Sequence, residues 1–189
     1  YPGVAELAAD VRAFLELATC ARVVESLRHE GRHLAVGGLW GASAALLVAA
    51  IRTPLRAPWL LVTADDGDTT AFADDLATFG VAGVHRLPSR EVDAEGRADP
   101  IAENARARTL AALVEHDTAR DGPFVLCASL PALLQPAPQF GALRAAGVEL
   151  RKGQRVDPEE ILRTCIESGM RKVALVVAPG EVSRRGDVL

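Results

Sequence analysis

Apolar residues recur at spacings of three and four in some stretches of the chain and form short continuous runs in others. The first pattern predicts amphipathic helices over residues 4–17, 21–28, 42–51, 69–79 and 101–116. The continuous runs predict strands at residues 34–36, 59–62, 84–87 and 124–127. Short strands that alternate with helices are typical of βαβ units, so we expect an α/β fold with a parallel sheet and helices on both faces.

The pattern changes after the proline-rich segment 130–138. A short apolar run at residues 148–150 and a predicted helix over residues 158–167 are followed by two runs, residues 172–177 and 182–189. Because only a Pro-Gly turn separates the last two runs, too little for a crossover, we expect them to pair antiparallel.

We therefore expect three parts. These are N-terminal helices over residues 1–33, a sheet domain over residues 34–146 and the start of a small α+β domain over residues 147–189. Because Asp187-Val188-Leu189 ends inside a predicted strand, we also expect the chain to be a piece of a longer protein, with the small domain incomplete.

Composition is that of a soluble globular protein, with 49% hydrophobic residues, 24% charged residues and a net charge of −4. The three cysteines, Cys20, Cys127 and Cys165, are odd in number and far apart, which argues against a disulfide framework. No apolar run approaches the roughly 18 residues that a membrane span needs. We expect a cytoplasmic protein with no membrane partner.

The stretch VGGLWGASAA, residues 36–45, lies between a predicted strand and a predicted helix, as a phosphate-binding loop does. Such a loop needs glycines, a lysine for the terminal phosphates and a hydroxyl for Mg²⁺. Aligned on that pattern, Gly38 and Gly41 are kept, but Ala44 replaces the lysine and Ala45 replaces the hydroxyl. We therefore predict a degenerate loop with a structural role and no bound cofactor.

Carboxylates follow the strand predicted at residues 59–62. Asp65 or Asp66 could hold Mg²⁺ in a nucleotide-dependent enzyme, but without a competent loop we expect Asp66 or Asp68 to cap the next helix. Ser129 follows another predicted strand, within Ala-Ser-Leu-Pro, and we interpret it as a helix start rather than a nucleophile.

The histidines show no metal-ligand spacing to one another or to the cysteines; they are His29, His33, His85 and His116. We predict neither a metal site nor a catalytic residue. The alternative that stays open is a nucleotide-dependent enzyme, an ATPase or ligase, that uses Asp65 or Asp66 with a non-standard loop.

Arg184 and Arg185 lie in the last predicted strand. Strand alternation sends them to opposite faces, so we expect at least one guanidinium to face solvent, where it can bind a carboxylate. The alternative is that Arg185 pairs with Asp187, two residues further on.

DNA binding through basic residues of the small domain is a further possibility; the candidates are Arg151, Lys152, Arg155 and Arg171. It is disfavoured because residues 147–189 carry eight basic residues against seven acidic ones. Non-specific DNA affinity comes mainly from neutralising phosphates, which needs a larger excess of positive charge.

Seven blocks of the chain, in order, resemble the N-terminal region of the bacterial transcription-repair coupling factors (Mfd): GLWGASAALLVAAI, PWLLVTADD, DDLATFG, LPSRE, LPALLQPAP, LRKGQRVDPEEILRTCIESGMRKV and PGEVSRRGDVL. The last two blocks are the most specific, because RGDVL after PGE also matches the related region of the excision nuclease subunit UvrB. UvrB keeps the loop lysine and hydroxyl, whereas Mfd proteins have lost them, as at Ala44 and Ala45 here.

The resemblance implies a degenerate P-loop NTPase-like domain followed by a small domain that binds UvrA, the damage-recognition ATPase. It implies that Arg185 contacts UvrA and that the module itself is not catalytic. Full-length members are ATP-dependent DNA translocases that recruit UvrA to stalled RNA polymerase in nucleotide excision repair. RNA polymerase and DNA would be bound by downstream domains beyond Leu189, and the resemblance implies no function for residues 1–33.

Overall fold

The computed structural model describes residues 11–14, 16–29, 33–92, 95–96, 98–139, 141–143, 150–186 and 188. The elements in chain order are α1 (Ala18–Leu27), α2 (Ser43–Leu55), β1 (Trp59–Thr63), α3 (Asp66–Thr78), β2 (Val84–Leu87), α4 (Pro100–Glu115), α5 (Thr118–Asp121), β3 (Val125–Ser129), α6 (Leu130–Leu134), α7 (Pro158–Glu167), β4 (Arg171–Lys172) and β5 (Glu181–Val182).

The chain divides into two compact units. Unit 1 comprises Tyr1–Pro88 and His116–Leu134, and unit 2 comprises Ser89–Glu115 and Gln135–Leu189. The three-part division expected from the sequence stays a prediction.

Unit 1 contains a parallel sheet in the order β1-β3-β2. Both outer strands pair with β3 in parallel, so that Trp59 and Val84 lie on either side of Val125. The α/β class and these three strands are confirmed.

Helices α2 and α3 pack on one face of this sheet. The small side chains of Ala45 on α2 and Ala73 on α3 let the two helices pack closely. Together with Leu76 of α3 and with Val125 and Cys127 of β3, these alanines belong to a buried cluster. On the other face of edge strand β1, Leu60 and Val62 are 55% and 52% exposed. Among the described residues of unit 1, the helical layer that we expected on that face does not cover Leu60 and Val62.

The prediction of a strand at residues 34–36 is wrong. The residues adopt no strand, and Leu34 and Val36 are 43% and 39% exposed. Three apolar residues followed by two glycines offer little burial to offset the entropy lost on ordering the backbone.

The predicted N-terminal helices are confirmed in part. Helix α1 matches the second of them, whereas residues 1–10 of the first lie outside the described part of the chain; residues 11–14 are helical. Among the described residues, no helix is both long enough and apolar enough to cross a membrane.

In unit 2, helix α7 has the predicted bounds, Pro158–Glu167. The Asp157 side chain accepts a hydrogen bond from the Glu159 N–H and so caps its first turn. The strand predicted at 148–150 falls largely outside the described residues, and Leu150 is not in a strand.

The expected antiparallel pairing in unit 2 is wrong, because β4 and β5 are parallel. The Arg171 N–H donates to Gly180 O at 2.8 Å, and the Val173 N–H donates to Val182 O at 2.9 Å. The connection is therefore an eight-residue loop, residues 173–180, rather than a two-residue turn, and it is shorter than the crossovers of a dozen or more residues that usually join parallel strands.

Candidate functional site

The glycine-rich loop before α2 forms a tight turn. Gly38 and Gly41 have φ values of +77° and +53°, which glycine adopts without strain. The Trp40 N–H donates to Ser43 Oγ at 2.6 Å, and the Ser43 N–H donates to Trp40 O at 3.1 Å. The turn directs the chain into the helix, but the described residues before it, 33–37, do not form the strand that precedes a phosphate loop.

The two alanines that align with the lysine and hydroxyl positions of a phosphate loop have different surroundings. Ala45 is 1% exposed and belongs to the core cluster with Ala49 and Val125. Ala44 is only partly buried. The position where an NTPase places its Mg²⁺ ligand is therefore a packing position in this chain.

Asp65 caps α3. Its backbone is extended, and its Oδ1 accepts a hydrogen bond from the Asp68 N–H at 2.8 Å. The prediction that Asp66 or Asp68 would be the cap is wrong by one to three residues. Both lie inside the first turn, where their backbone is already helical, whereas a capping residue must precede it.

Asp66 and Ser129 meet at the carboxyl ends of β1 and β3, although 63 residues separate them in sequence. Ser129 Oγ donates to Asp66 Oδ1 at 2.5 Å and accepts from the Ala132 N–H at 3.2 Å. The Ser129 side chain is fully buried and ends β3, and helix α6 starts at the next residue, Leu130, so a helix does start at this point of the chain as predicted. Sequence spacing could not have predicted its contact with Asp66.

His85 and His116 are also neighbours, with ring centroids 6.3 Å apart. Both rings contact Phe124 edge to face, and His116 Nε2 lies 2.8 Å from Gly122 O. Burial, and then the charge of His116, lower the pKa of His85. No cluster of three or more metal-ligating side chains occurs within the described ranges.

Arg184 is engaged inside unit 2. Its guanidinium forms an ion pair with Glu159 on α7, and its Nε donates to Gly186 O at 2.7 Å. Its side chain is only 24% exposed. Arg184 therefore fixes the end of the chain segment to the helix.

Arg185 differs from its neighbour. It forms an antiparallel bridge with Val188, in which each backbone N–H donates to the other's carbonyl, at 2.9 and 3.3 Å. Gly186, with φ +65°, makes the turn between them. Arg185 thus lies on a tight hairpin rather than in the long strand that we predicted.

The Arg185 residue is exposed, and its side chain makes no hydrogen bond or ion pair with any residue that the structure describes. The expectation that one of the two guanidinium groups faces solvent is confirmed. Asp187 lies outside the described residues, so its pairing with Arg185 stays open.

Glu181 is a buried carboxylate that the sequence analysis did not single out. Its side chain is only 4% exposed, and its Oε2 accepts from the Val177 and Ala178 N–H groups at 2.9 and 3.1 Å. Its Oε1 pairs with Arg171. The bond from Val177, and then the bond from Arg171, lower the pKa of Glu181.

The basic residues considered for DNA binding do not lie together on one helix or one strand. Three of them lie in the segment before α7; they are Arg151, Lys152 and Arg155. Arg171 lies in β4 and is engaged by Glu181.

Comparison with known proteins assigns no family to this site. No family model matches the chain, and no curated protein matches it at a significant level. Function must therefore be inferred from the geometry of the described residues and from the resemblance of the seven sequence blocks.

Proposed function

We propose that this chain is a non-catalytic adaptor module that binds UvrA, as the UvrB-like region of a transcription-repair coupling factor does. The observation that carries the proposal is Arg185, an exposed guanidinium held on a tight hairpin without a partner among the described residues. Arg184 contrasts with it, because Glu159 already satisfies Arg184.

The chemistry of Arg185 suits a carboxylate on a partner protein. A guanidinium binds a carboxylate through two parallel charge-assisted hydrogen bonds, which fix orientation as well as affinity. The hairpin at Gly186 restricts the Arg185 backbone before the partner arrives, which lowers the entropic cost of binding.

We also infer that unit 1 is a degenerate P-loop NTPase-like domain, in which the glycine turn serves packing. Its parallel sheet and its glycine turn before α2 support this inference, and Ala44 and Ala45 occupy the positions that align with the lysine and hydroxyl of a phosphate loop. In this proposal the module acts in the cytoplasm, and RNA polymerase and DNA are bound by other domains of a longer protein.

Binding of the chain to purified UvrA, measured by biolayer interferometry at moderate salt, tests the proposal. We expect the wild-type chain to bind and Arg185→Ala to weaken binding by about 2 to 5 kcal/mol, because a carboxylate of UvrA would lose its partner in a desolvated interface. Arg163→Ala is the matched control, since Arg163 is an exposed arginine on α7 of the same unit. Equal affinities of the wild type and Arg185→Ala would remove Arg185 from the interface.

The alternative, a nucleotide-dependent enzyme, is tested by a second experiment, in which it predicts ATP binding and the adaptor proposal predicts none. Isothermal titration of the chain with ATP and Mg²⁺ should give no binding heat if the loop is structural. Saturable ATP binding that is lost in Asp65→Ala or Asp66→Ala would favour the enzyme instead.

A further inference from the structure

The loop between β4 and β5 exposes consecutive apolar side chains. Leu175 and Val177 are 74% and 78% exposed, and Val176 between them is 49% exposed. We call residues 174–177 the apolar loop. Clustered apolar side chains on a surface mark sites of interaction, whereas single ones are common and need no explanation.

The apolar loop is fixed at both ends. The Glu181 carboxylate accepts hydrogen bonds from the backbone of Val177 and Ala178. At its start, Ser183 Oγ donates to Ala174 O at 3.0 Å. A loop held in this way exposes its apolar side chains in a defined conformation, so little ordering entropy is lost when a partner covers them.

Basic residues flank the apolar loop in sequence. Arg171 and Lys172 precede it, and Arg184 and Arg185 follow it. Arg171 pairs with the buried Glu181 and Arg184 pairs with Glu159, so the positive charges beside the apolar loop that have no described ion-pair partner are those of Lys172 and Arg185. An apolar centre beside positive charges is complementary to an acidic surface that contains an apolar recess.

A protein fits this surface better than a nucleic acid does. Residues 141–189 contain no Phe, Trp or Tyr on which a base could stack. Leu175 and Val177 would gain nothing from a phosphate backbone, whereas an apolar recess on a protein would remove them from water.

We propose that the apolar loop inserts into an apolar recess bordered by carboxylates on the partner protein. The inference rests on the proposed function, in that UvrA is the partner tested. It adds an apolar anchor, Leu175 and Val177, to the polar contact of Arg185.

The test compares two double variants in biolayer interferometry against UvrA. Leu175→Ser/Val177→Ser removes the anchor, and we expect it to lower affinity by about 10- to 100-fold, as two buried aliphatic side chains contribute at an interface. Ile101→Ser/Leu134→Ser is the control, because these side chains are 69% and 78% exposed elsewhere in the chain. Both variants should unfold near the wild-type temperature, since all four side chains are exposed.

The outcomes separate the two proposals. If Arg185→Ala weakens binding but the loop variant binds like the control, the apolar loop is not in the interface and the proposed function stands. If the wild-type chain does not bind UvrA, both proposals are overturned. Binding to duplex DNA that the loop variant loses would assign this surface to a nucleic acid and overturn the protein partner.

Discussion

The carboxylate of Glu181 accepts a 2.9 Å hydrogen bond from the backbone N–H of Val177, four residues earlier in the chain. The bond fixes the second half of the loop between β4 and β5, and the same carboxylate pairs with Arg171 in β4, before the loop. One buried side chain thus joins both ends of the connection. This explains how two very short strands can lie parallel without a helix between them.

Glu181→Gln should loosen this connection. The substitution keeps the side-chain shape but removes the charge that attracts Arg171 and strengthens the bonds from Val177 and Ala178. We expect amide hydrogen exchange at Val177 and Ala178 to become about tenfold faster. The control is Glu167→Gln, an exposed position at the end of α7, which should leave both amides unchanged.

The same carboxylate predicts a dependence on acid. Its folded-state pKa lies below the ordinary value of 4.5, so ionised Glu181 stabilises the fold above that pH, and the stabilisation is lost as the pH falls through the lowered pKa. The difference in unfolding midpoint between the wild type and Glu181→Gln should therefore be constant near neutral pH and shrink in acid. A difference of the same size at pH 3 and pH 7 would show that the charge of Glu181 does not matter.

Features that depend on local pattern could be predicted from the sequence, and features that depend on distant contacts could not. Strand β3 and helix α7 each carry their own apolar periodicity, so their positions were predicted. The parallel return of β5 depends on the Glu181 side chain, and the contact of Ser129 with Asp66 spans 63 residues. A strand at residues 34–36 requires a neighbour with which to pair, and an apolar run alone cannot show that it has one.

Asp65→Ala should destabilise unit 1 by about 1 kcal/mol, because it removes the side-chain acceptor for the Asp68 N–H at the start of α3. Asp74→Ala is a suitable control: Asp74 is exposed in the interior of the same helix, where alanine is a better helix former. Chemical denaturation of both variants measures the difference. If Asp74→Ala proved as destabilising as Asp65→Ala, the cap would have no special role.

The lowered pKa of His85 predicts a second dependence of stability on pH, at milder acidity. Its folded-state pKa lies below the ordinary value of 6.5, so neutral His85 favours the folded state above that pH, and this contribution is lost as the pH falls further. The thermal midpoint of the wild type should therefore drop more between pH 7.5 and 5.5 than that of His85→Gln.

The exposed His29 provides the control for this measurement. His29→Gln should retain the wild-type drop, and proton NMR titration should show a pKa of His85 below its ordinary value. Identical drops in the wild type and His85→Gln would exclude His85 as the source.

A substitution at Ala45 tests whether the glycine loop has room for the hydroxyl side chain that a phosphate loop carries at this position. Ala45→Thr supplies the hydroxyl of a phosphate loop, but Ala45 is 1% exposed, so we expect the extra atoms and an unpartnered hydroxyl to cost about 1 to 3 kcal/mol of stability. Ala44→Thr is the control; at this partly exposed position it should cost only about 0.5 kcal/mol, from lower helix propensity.

The double variant Ala44→Lys/Ala45→Thr then carries the lysine and the hydroxyl of a phosphate loop. We expect no ATP binding in isothermal titration with Mg²⁺, because the described residues 33–37 form no strand that would position the loop and residue 45 lies in the core. Measurable ATP binding by a variant that remains folded would show that the backbone of the loop can hold a nucleotide and that only the lysine and hydroxyl side chains are needed. The inference of a structural glycine turn would then lose its support, and the adaptor proposal would rest on Arg185 alone.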